Sequence, residues 1–143
     1  MIENSGPERR RYERYPIYCP LEYKSEDEQP KESSITLNVS EGGALLSTRR
    51  ELPLSTNIIM KFKMRDELFF LIGKVKHSRQ DQTSDAYEVG VEFWDKPKTF
   101  AKKFYEELAE IMNFRRKCAD EQGSEISLAE ASLNWYKNSS DLL

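Results

Sequence analysis

The chain has 143 residues, of which 33% are charged and 38% hydrophobic, and its formal net charge is -3. This length accommodates one domain with a hydrophobic core and flanking helices, but hardly two independent cores. Because the net charge is slightly negative, the molecule as a whole is not expected to bind a nucleic acid polymer or an anionic membrane. We therefore expect any anion-binding site to be local.

The sequence carries no sign of export, membrane insertion or a metal centre. The N-terminus lacks a basic region followed by an apolar run, and no stretch approaches the roughly 20 apolar residues of a spanning helix. Cys19 and Cys118 lack CxxC spacing, so neither a zinc site nor a disulfide framework is indicated. We expect a cytoplasmic protein without a metal or cofactor.

The strongest positive field of the chain lies near its N-terminus. Residues 1–8 have little apolar content and are interpreted as a flexible leader. An arginine cluster follows directly, consisting of Arg9, Arg10, Arg11 and Arg14. Because adjacent cations repel one another, we expect this arm to be mobile until an anionic ligand binds it.

About six short strands with polar loops follow the arm. They are predicted over Ile17 to Lys24, Ser34 to Ser40, Ala44 to Ser47, Asn57 to Lys63, Leu68 to Arg79 and Tyr87 to Phe93. Nothing between them has the length and period of a crossover helix, which favours a mainly β fold, a six-stranded antiparallel barrel. His77, the single histidine, is interpreted as an exposed or structural side chain of the fifth strand.

Apolar and polar residues alternate along the second predicted strand, and this alternation predicts which side chains face outward. Ile35, Leu37 and Val39 fall on the core face, and Asn38 and Ser40 on the solvent face. The Gly42–Gly43 pair that follows predicts a tight turn.

The hydrophobic period changes after the last strand. Apolar residues from Phe100 to Met112 recur on one helical stripe, which predicts an amphipathic C-terminal helix packed on the barrel. Ser127 to Glu130 forms a capping box that predicts a further short helix. The predicted division is a leader over residues 1–8, the barrel with its arm over 9–96, the helix over 97–117 and a helical tail over 124–143.

Two motifs with specific spacing lie in order along the chain. Arg10 and Arg14 form Arg-x-x-x-Arg, and Asn38, Ser40 and Gly43 form Asn-x-Ser-x-x-Gly. With the Gly73-Lys-Val75 and Tyr87 to Phe93 segments further on, residues 9–115 resemble the PilZ domain family. The resemblance implies a bacterial barrel that binds the second messenger cyclic di-GMP, signals to a downstream protein partner and has no enzymatic activity.

The implied ligand site fits the chemistry of these side chains. An arginine guanidinium can pair with a phosphate or form a fork on guanine O6 and N7, and each fork is worth about 1 to 3 kcal/mol of discrimination. By resemblance, Arg10 and Arg14 grip the ligand, Asn38 and Ser40 hydrogen-bond a base edge, and Gly42 and Gly43 form the turn. Arg9 and Arg11 add phosphate contacts. The residue before the first motif arginine influences how many ligands bind, and Arg9 at this position is consistent with either one or two ligand molecules.

Two other function classes are consistent with the sequence. One is a PilZ-like adaptor that binds protein and no nucleotide, and the other is a small-barrel binder of single-stranded nucleic acid. The intact motifs argue against the adaptor, and the acidic balance argues against the nucleic-acid binder. The sequence leaves open whether the protein is a monomer or a homodimer.

Overall fold

The computed structural model describes residues 12–25, 30–64 and 67–140. It has six strands followed by two helices. The strands are β1 (Pro20–Ser25), β2 (Glu32–Val39), β3 (Gly43–Thr48), β4 (Asn57–Met64), β5 (Glu67–Gln80) and β6 (Tyr87–Asp95), and the helices are α1 (Phe100–Gln122) and α2 (Leu128–Ser140).

The strands form a closed barrel in the order β1-β2-β3-β6-β5-β4. Each neighbouring pair is antiparallel, and the longest registers join β5 to β4 and to β6. The predicted six-stranded antiparallel barrel is therefore confirmed. Pro20, which lacks a backbone N–H, is the first residue of β1, where a proline interrupts few ladder hydrogen bonds.

The core fills the barrel and continues to the end that α1 covers. Alternate residues of β4 point inward, and Ile58, Met60 and Phe62 are fully buried. Phe100, at the start of α1, lies 5.7 to 6.4 Å from the rings of three barrel phenylalanines, which are Phe62, Phe69 and Phe93. These ring contacts close one end of the barrel with aromatic packing.

A bulge in β2 changes which of its side chains face the core. Thr36 pairs with Leu46 but Asn38 pairs with Leu45, so Leu37 is an extra residue in the ladder. As a result both Thr36 and Val39 are buried, and the predicted core residues Ile35 and Leu37 are only half-buried. The predicted strict alternation is wrong at these positions because a period of two cannot cross a bulge.

Helix α1 continues past its predicted end at residue 117 to Gln122. Gly123 stops it, because its φ of 75° is a left-handed conformation and its N–H caps the carbonyl of Ala119. Met112, placed on the apolar stripe by the sequence, is 39% exposed, whereas Glu107 on the same helix is buried.

Helix α2 is attached both to α1 and to the chain before β1. Ser127 caps it by accepting a 3.0 Å hydrogen bond from the N–H of Glu130, as the capping box predicts. Trp135 packs on Phe114 of α1 at 5.6 Å between ring centroids. Tyr136 is buried beside Cys19 and Glu107, and burial is the main reason that the pKa of Tyr136 is raised.

Within the described part of the chain, neither helix is long and apolar enough to span a membrane. The same residues contain no group of three or more His, Cys, Asp or Glu side chains placed to hold a metal ion.

Candidate functional site

The arm enters the barrel next to the second motif. Tyr15 and Val39 form an antiparallel bridge, in which the Tyr15 N–H donates to the Val39 carbonyl at 2.8 Å and the Val39 N–H donates to the Tyr15 carbonyl at 2.9 Å. The Tyr15 ring packs on Phe104 of α1 at 6.1 Å. Arg14 is thereby fixed one residue before an anchored position, beside the end of β2.

The turn after β2 is organised by Ser40. Its Oγ accepts hydrogen bonds from the backbone N–H groups of Gly42 and Gly43, both at 3.1 Å, and its own N–H donates to the Gly43 carbonyl at 2.8 Å. Ser40 is only 5% exposed, so it does not lie on an open solvent face as the sequence suggested. Its hydroxyl holds the turn in shape, in the manner of a side chain that mimics a backbone turn.

A surface cleft of about 240 Å³ lies between the arm and the barrel. The arm contributes Tyr12 and Arg14, and the rest of the wall is formed by the turn after β2 and by β3, β5 and β6. From these elements the lining residues are Ser40, Gly42, Gly43, Ala44, Leu45, Lys76, His77, Gly90, Val91 and Glu92.

Both glycines of the motif are close to another part of the chain. A side-chain Cβ at Gly43 would overlap the backbone carbonyl oxygen of Val91, and one at Gly42 would lie 2.7 Å from Cδ2 of Tyr12. Glycine at position 43 therefore lets β3 approach β6 at the cleft. Glycine at position 42 lets the Tyr12 ring rest on the turn.

Glu41, at the rim of the cleft, is hydrogen-bonded to α1 and to the segment after β6. The Tyr105 hydroxyl donates to Glu41 Oε1 at 3.1 Å, and the Lys96 ammonium donates to the Glu41 carbonyl. Lys96 also lies 5.5 Å from the centroid of the Tyr12 ring, a cation–π distance. Burial and the hydrogen bond to Glu41 raise the pKa of Tyr105 to about 12, so its hydroxyl stays protonated as a donor at neutral pH.

The cleft contains both positive and negative side chains. Arg14 and Lys76 are exposed cations in its wall, and Glu92 is the carboxylate beside them. Lys76 Nζ lies 3.6 Å from Glu92 Oε1, and both side chains are more than half exposed. An anionic ligand that enters the cleft would be attracted to the cations, and the carboxylate would oppose it.

The structure brings together most of the predicted site residues that it describes. Arg14, Ser40, Gly42 and Gly43 line one cleft. Asn38 is half-buried and pairs with Leu45, a cleft residue, so it lies directly beside the cleft. The predictions for Arg9, Arg10 and Arg11 fall outside the described residues.

Sequence reasoning missed the other residues of the cleft, which are Tyr12, Ala44, Leu45, Lys76, His77, Gly90, Val91 and Glu92. Tyr12 stands inside the arginine cluster, a signal that could have found it. Lys76 and His77 are remote in sequence from both motifs, and only the pairing of β5 with β6 places them here.

A comparison with protein-family profiles identifies one family. The sequence profile described as "PilZ domain" matches residues 8–109. No curated protein sequence matched the chain.

Among solved structures, the fold is similar to the Bacillus subtilis inhibitor of motility MotI/DgrA, with a TM-score of 0.61 and 13% identity over 74% of this chain and 53% of that one. It is also similar to the K. pneumonia MrkH–c-di-GMP complex, with a TM-score of 0.56 and 14% identity over 72% and 51% of the two chains. The chain thus spans about half the length of these two proteins.

A third similar structure is the PilZ domain of YcgR from Escherichia coli with c-di-GMP, with a TM-score of 0.50 and 13% identity over 80% of this chain and 98% of that one. Identities this low establish the shared fold alone. The profile match covers most of the chain, and the closed barrel with its arm and turn agrees with it. The chain belongs to the PilZ domain family.

Proposed function

We propose that this protein is a receptor for cyclic di-GMP, which it binds in the cleft between the arm and the barrel. The observation that carries this proposal is the Tyr15–Val39 bridge, because it places Arg14 at the same cleft as the turn built by Ser40. Two of the similar structures contain cyclic di-GMP, which makes this ligand the first to test.

The chemistry of the cleft suits a cyclic dinucleotide that bears two phosphates. Arg14 offers a planar guanidinium that can pair with a phosphate or with a guanine edge. Asn38, beside Leu45, offers an amide that can both donate to and accept from a base. In this proposal Arg9, Arg10 and Arg11 add further cations from the arm. Ser40 shapes the turn, and Gly42 and Gly43 let that turn pack closely against Tyr12 and β6 at the edge of the site.

The test is isothermal titration of the purified protein with cyclic di-GMP, GTP and cyclic GMP. We expect binding of the dinucleotide, and we expect Arg14→Ala to weaken it at least about tenfold, which corresponds to the loss of roughly one charge-assisted fork. Arg116→Ala is the matched control, because Arg116 is an exposed arginine on α1 that does not line the cleft. If wild-type protein failed to bind, or Arg14→Ala bound as tightly as wild type, the proposal would be rejected.

We further propose that ligand binding orders the arm and thereby signals to a protein partner. The support is that two residues of the arm contact the barrel. Tyr15 pairs with Val39, and the Tyr12 ring lies against Gly42 and 5.5 Å from Lys96 Nζ. Phosphate charge would offset the repulsion among the arginines and hold the arm against the rim. Hydrogen exchange of residues 1–16 should slow with saturating ligand, and unchanged exchange would contradict the switch.

A further inference from the structure

The outer face of the barrel carries large apolar side chains on β4, β5 and β6. Leu68 and Phe70 of β5 and Trp94 of β6 are each more than half exposed, and Ile59 of β4 is 47% exposed. Ile72, on the same face of β5, is half-buried. None of the five lines the cleft between the arm and the barrel.

These side chains form one continuous surface, which we name the apolar patch. The alternate residues of β5 from Leu68 to Ile72 stand in a row on one face of the strand, and Ile59 is directly opposite Ile72 in the β4–β5 register. The indole Nε1 of Trp94 donates to Oδ1 of Asn57 at 3.2 Å. Because β5 lies between β6 and β4, this indole crosses the outer face of β5 to reach Asn57 on β4.

The apolar patch is not part of the hydrophobic core. Phe69 and Leu71, the intervening residues of β5, point into the barrel and are buried there. The outward face of such a strand is normally polar, as it is further along β5 at Lys74 and Lys76. The patch exposes roughly 400 Å² of apolar surface, and contiguous patches of this size on a monomer often mark a binding surface.

The two borders of the apolar patch differ in charge. On one side, Lys24 of β1 is paired with Ile59, and Lys63 of β4 is paired with Leu68. Neither lysine forms an ion pair with another residue that the structure describes. The opposite border, on β6, carries the carboxylate of Asp95. A covering partner would gain from carboxylates placed over the lysines, whereas the acidic border and the net charge of -3 oppose a flat anionic membrane.

The shape of the apolar patch favours a helix as the covering element. The row from Leu68 to Ile72 is about 13 Å long, because a strand rises about 3.3 Å per residue. In an α-helix the residues i and i+7 lie about 10.5 Å apart along the axis, so an apolar stripe at i, i+4 and i+7 fits along this row. A helix also bonds its own backbone groups, whereas an extended segment laid on apolar side chains would leave many of its groups without partners.

We propose that the apolar patch is the docking site for an acidic amphipathic helix of a partner protein. The apolar stripe of the helix packs on Phe70, Ile72 and Trp94, and its carboxylates face Lys24 and Lys63. This inference goes beyond the proposed function and does not rest on it, because the patch and the cleft share no residue.

The test uses two synthetic helical peptides of roughly four turns. One has leucines at i, i+4 and i+7 and glutamates at the flanking positions, and its twin has lysines in place of the glutamates. In a Trp135→Phe background Trp94 is the single tryptophan, so its fluorescence reports on the patch. We expect the acidic peptide to shift this emission to shorter wavelength and to bind at least about tenfold more tightly than its twin. The net charge of -3 alone would favour the twin, so this preference would report the local lysines.

Two variants separate the apolar contact from the charged one. Phe70→Ser should weaken binding of the acidic peptide at least about tenfold, whereas Leu133→Ser, at an exposed leucine of α2, should leave it unchanged. Lys63→Glu should weaken the acidic peptide about two- to fivefold and strengthen the twin, with Lys137→Glu on α2 as its control. Circular dichroism checks that each variant is folded. Should Phe70→Ser fail to fold, the Lys63→Glu variant and the comparison of the two peptides still decide the matter.

Binding of neither peptide, tighter binding of the twin, or an unchanged affinity in Phe70→Ser would overturn the proposal. Sedimentation velocity of the protein alone tests a second copy as the occupant, and a dimer that Phe70→Ser abolishes would overturn the helix site in favour of self-association. Flotation with phosphatidylglycerol vesicles tests a membrane, and vesicle binding that is lost in Phe70→Ser would also overturn it. Titration with cyclic di-GMP is a separate measurement, so peptide binding without dinucleotide binding would support the docking site and reject the receptor function alone.

Discussion

The backbone N–H of Tyr18 donates a 2.8 Å hydrogen bond to Oγ of Ser132, which connects the chain between the arm and β1 to helix α2. Ser132 is fully buried and its hydroxyl donates in turn to the Ala129 carbonyl at 2.7 Å. Helix α2 is thus hydrogen-bonded to Tyr18, which is close in sequence to Tyr15, where the arm pairs with β2.

Ser132→Ala should lower the free energy of unfolding by about 1 kcal/mol or more, because it removes the partner of the partly buried Tyr18 N–H. Urea denaturation followed by circular dichroism measures the change. Ser124→Ala, at an exposed position before α2, should have almost no effect. Equal stability of Ser132→Ala and wild type would show that the hydrogen bond contributes nothing.

The two motif glycines should respond differently to alanine. Gly43→Ala places a methyl group against the Val91 carbonyl, which is backbone and cannot easily move, so we expect a loss of about 1 to 3 kcal/mol of stability. Gly42→Ala meets only the Tyr12 side chain at 2.7 Å, which can rotate away. We expect Gly42→Ala to keep most of the stability and to weaken ligand binding by displacing Tyr12. Thermal melts and titration calorimetry separate the two effects, and the reverse order of stability would contradict the geometry.

Removal of the carboxylate in the cleft should strengthen the binding of an anionic ligand. Glu92→Gln abolishes a negative charge beside Arg14 and releases Lys76 from its 3.6 Å ion pair. Because these groups are exposed and screened, we expect a gain of only about two- to fivefold in affinity, and a smaller one at high salt. Titrations at two salt concentrations check this, with Glu121→Gln on α1 as the matched control. Weaker binding by Glu92→Gln would show that the carboxylate contributes to ligand recognition.

Stability should fall at alkaline pH partly through Cys19. Burial raises the pKa of this thiol from 9.0 to about 12. The unfolded thiol ionises above pH 9 and the folded one does not, so its contribution to stability is complete below pH 9 and is lost as the pH rises towards 12. Between pH 9 and 11 the free energy of unfolding of wild type should fall more steeply than that of Cys19→Ala, by up to about 1.4 kcal/mol per pH unit.

Urea titrations at several pH values measure these slopes. Cys118→Ala is the control, because it removes the other thiol of the chain, which is only half-buried. Parallel pH profiles for wild type and Cys19→Ala would rule out a contribution from the buried thiol.

Local patterns were sufficient to predict most of the fold. Alternation, turn residues and the change of period after Asp95 predict six strands and two helices, and the capping box at Ser127 predicts the start of α2. Local patterns failed to predict burial where it depends on a contact between residues far apart in the sequence. Glu107 reads as a polar helix residue, but it is buried beside Cys19 and Tyr136, which belong to the two ends of the chain.

The candidate site shows the same division between local and distant information. The turn from Ser40 to Gly43 is local, and its sequence indicates it directly. The position of Arg14 at the turn depends on the Tyr15–Val39 bridge, and the His77–Gly90 contact depends on the register of β5 and β6 after a bulge. Neither pairing leaves a periodic signal in the sequence, so only the folded chain reveals them.

Closure of the barrel restricts how another protein can recognise this one. Each strand has a hydrogen-bonded neighbour on both sides, so no strand of the described sheet is a free edge strand, and only the end of β5, residues 77–80, extends past its β4 partner. Recognition must therefore use side chains, on the outer strand faces, on the helices or on the arm itself. Under the proposed function, a binding partner would distinguish the empty from the occupied protein by the shape and charge of that surface.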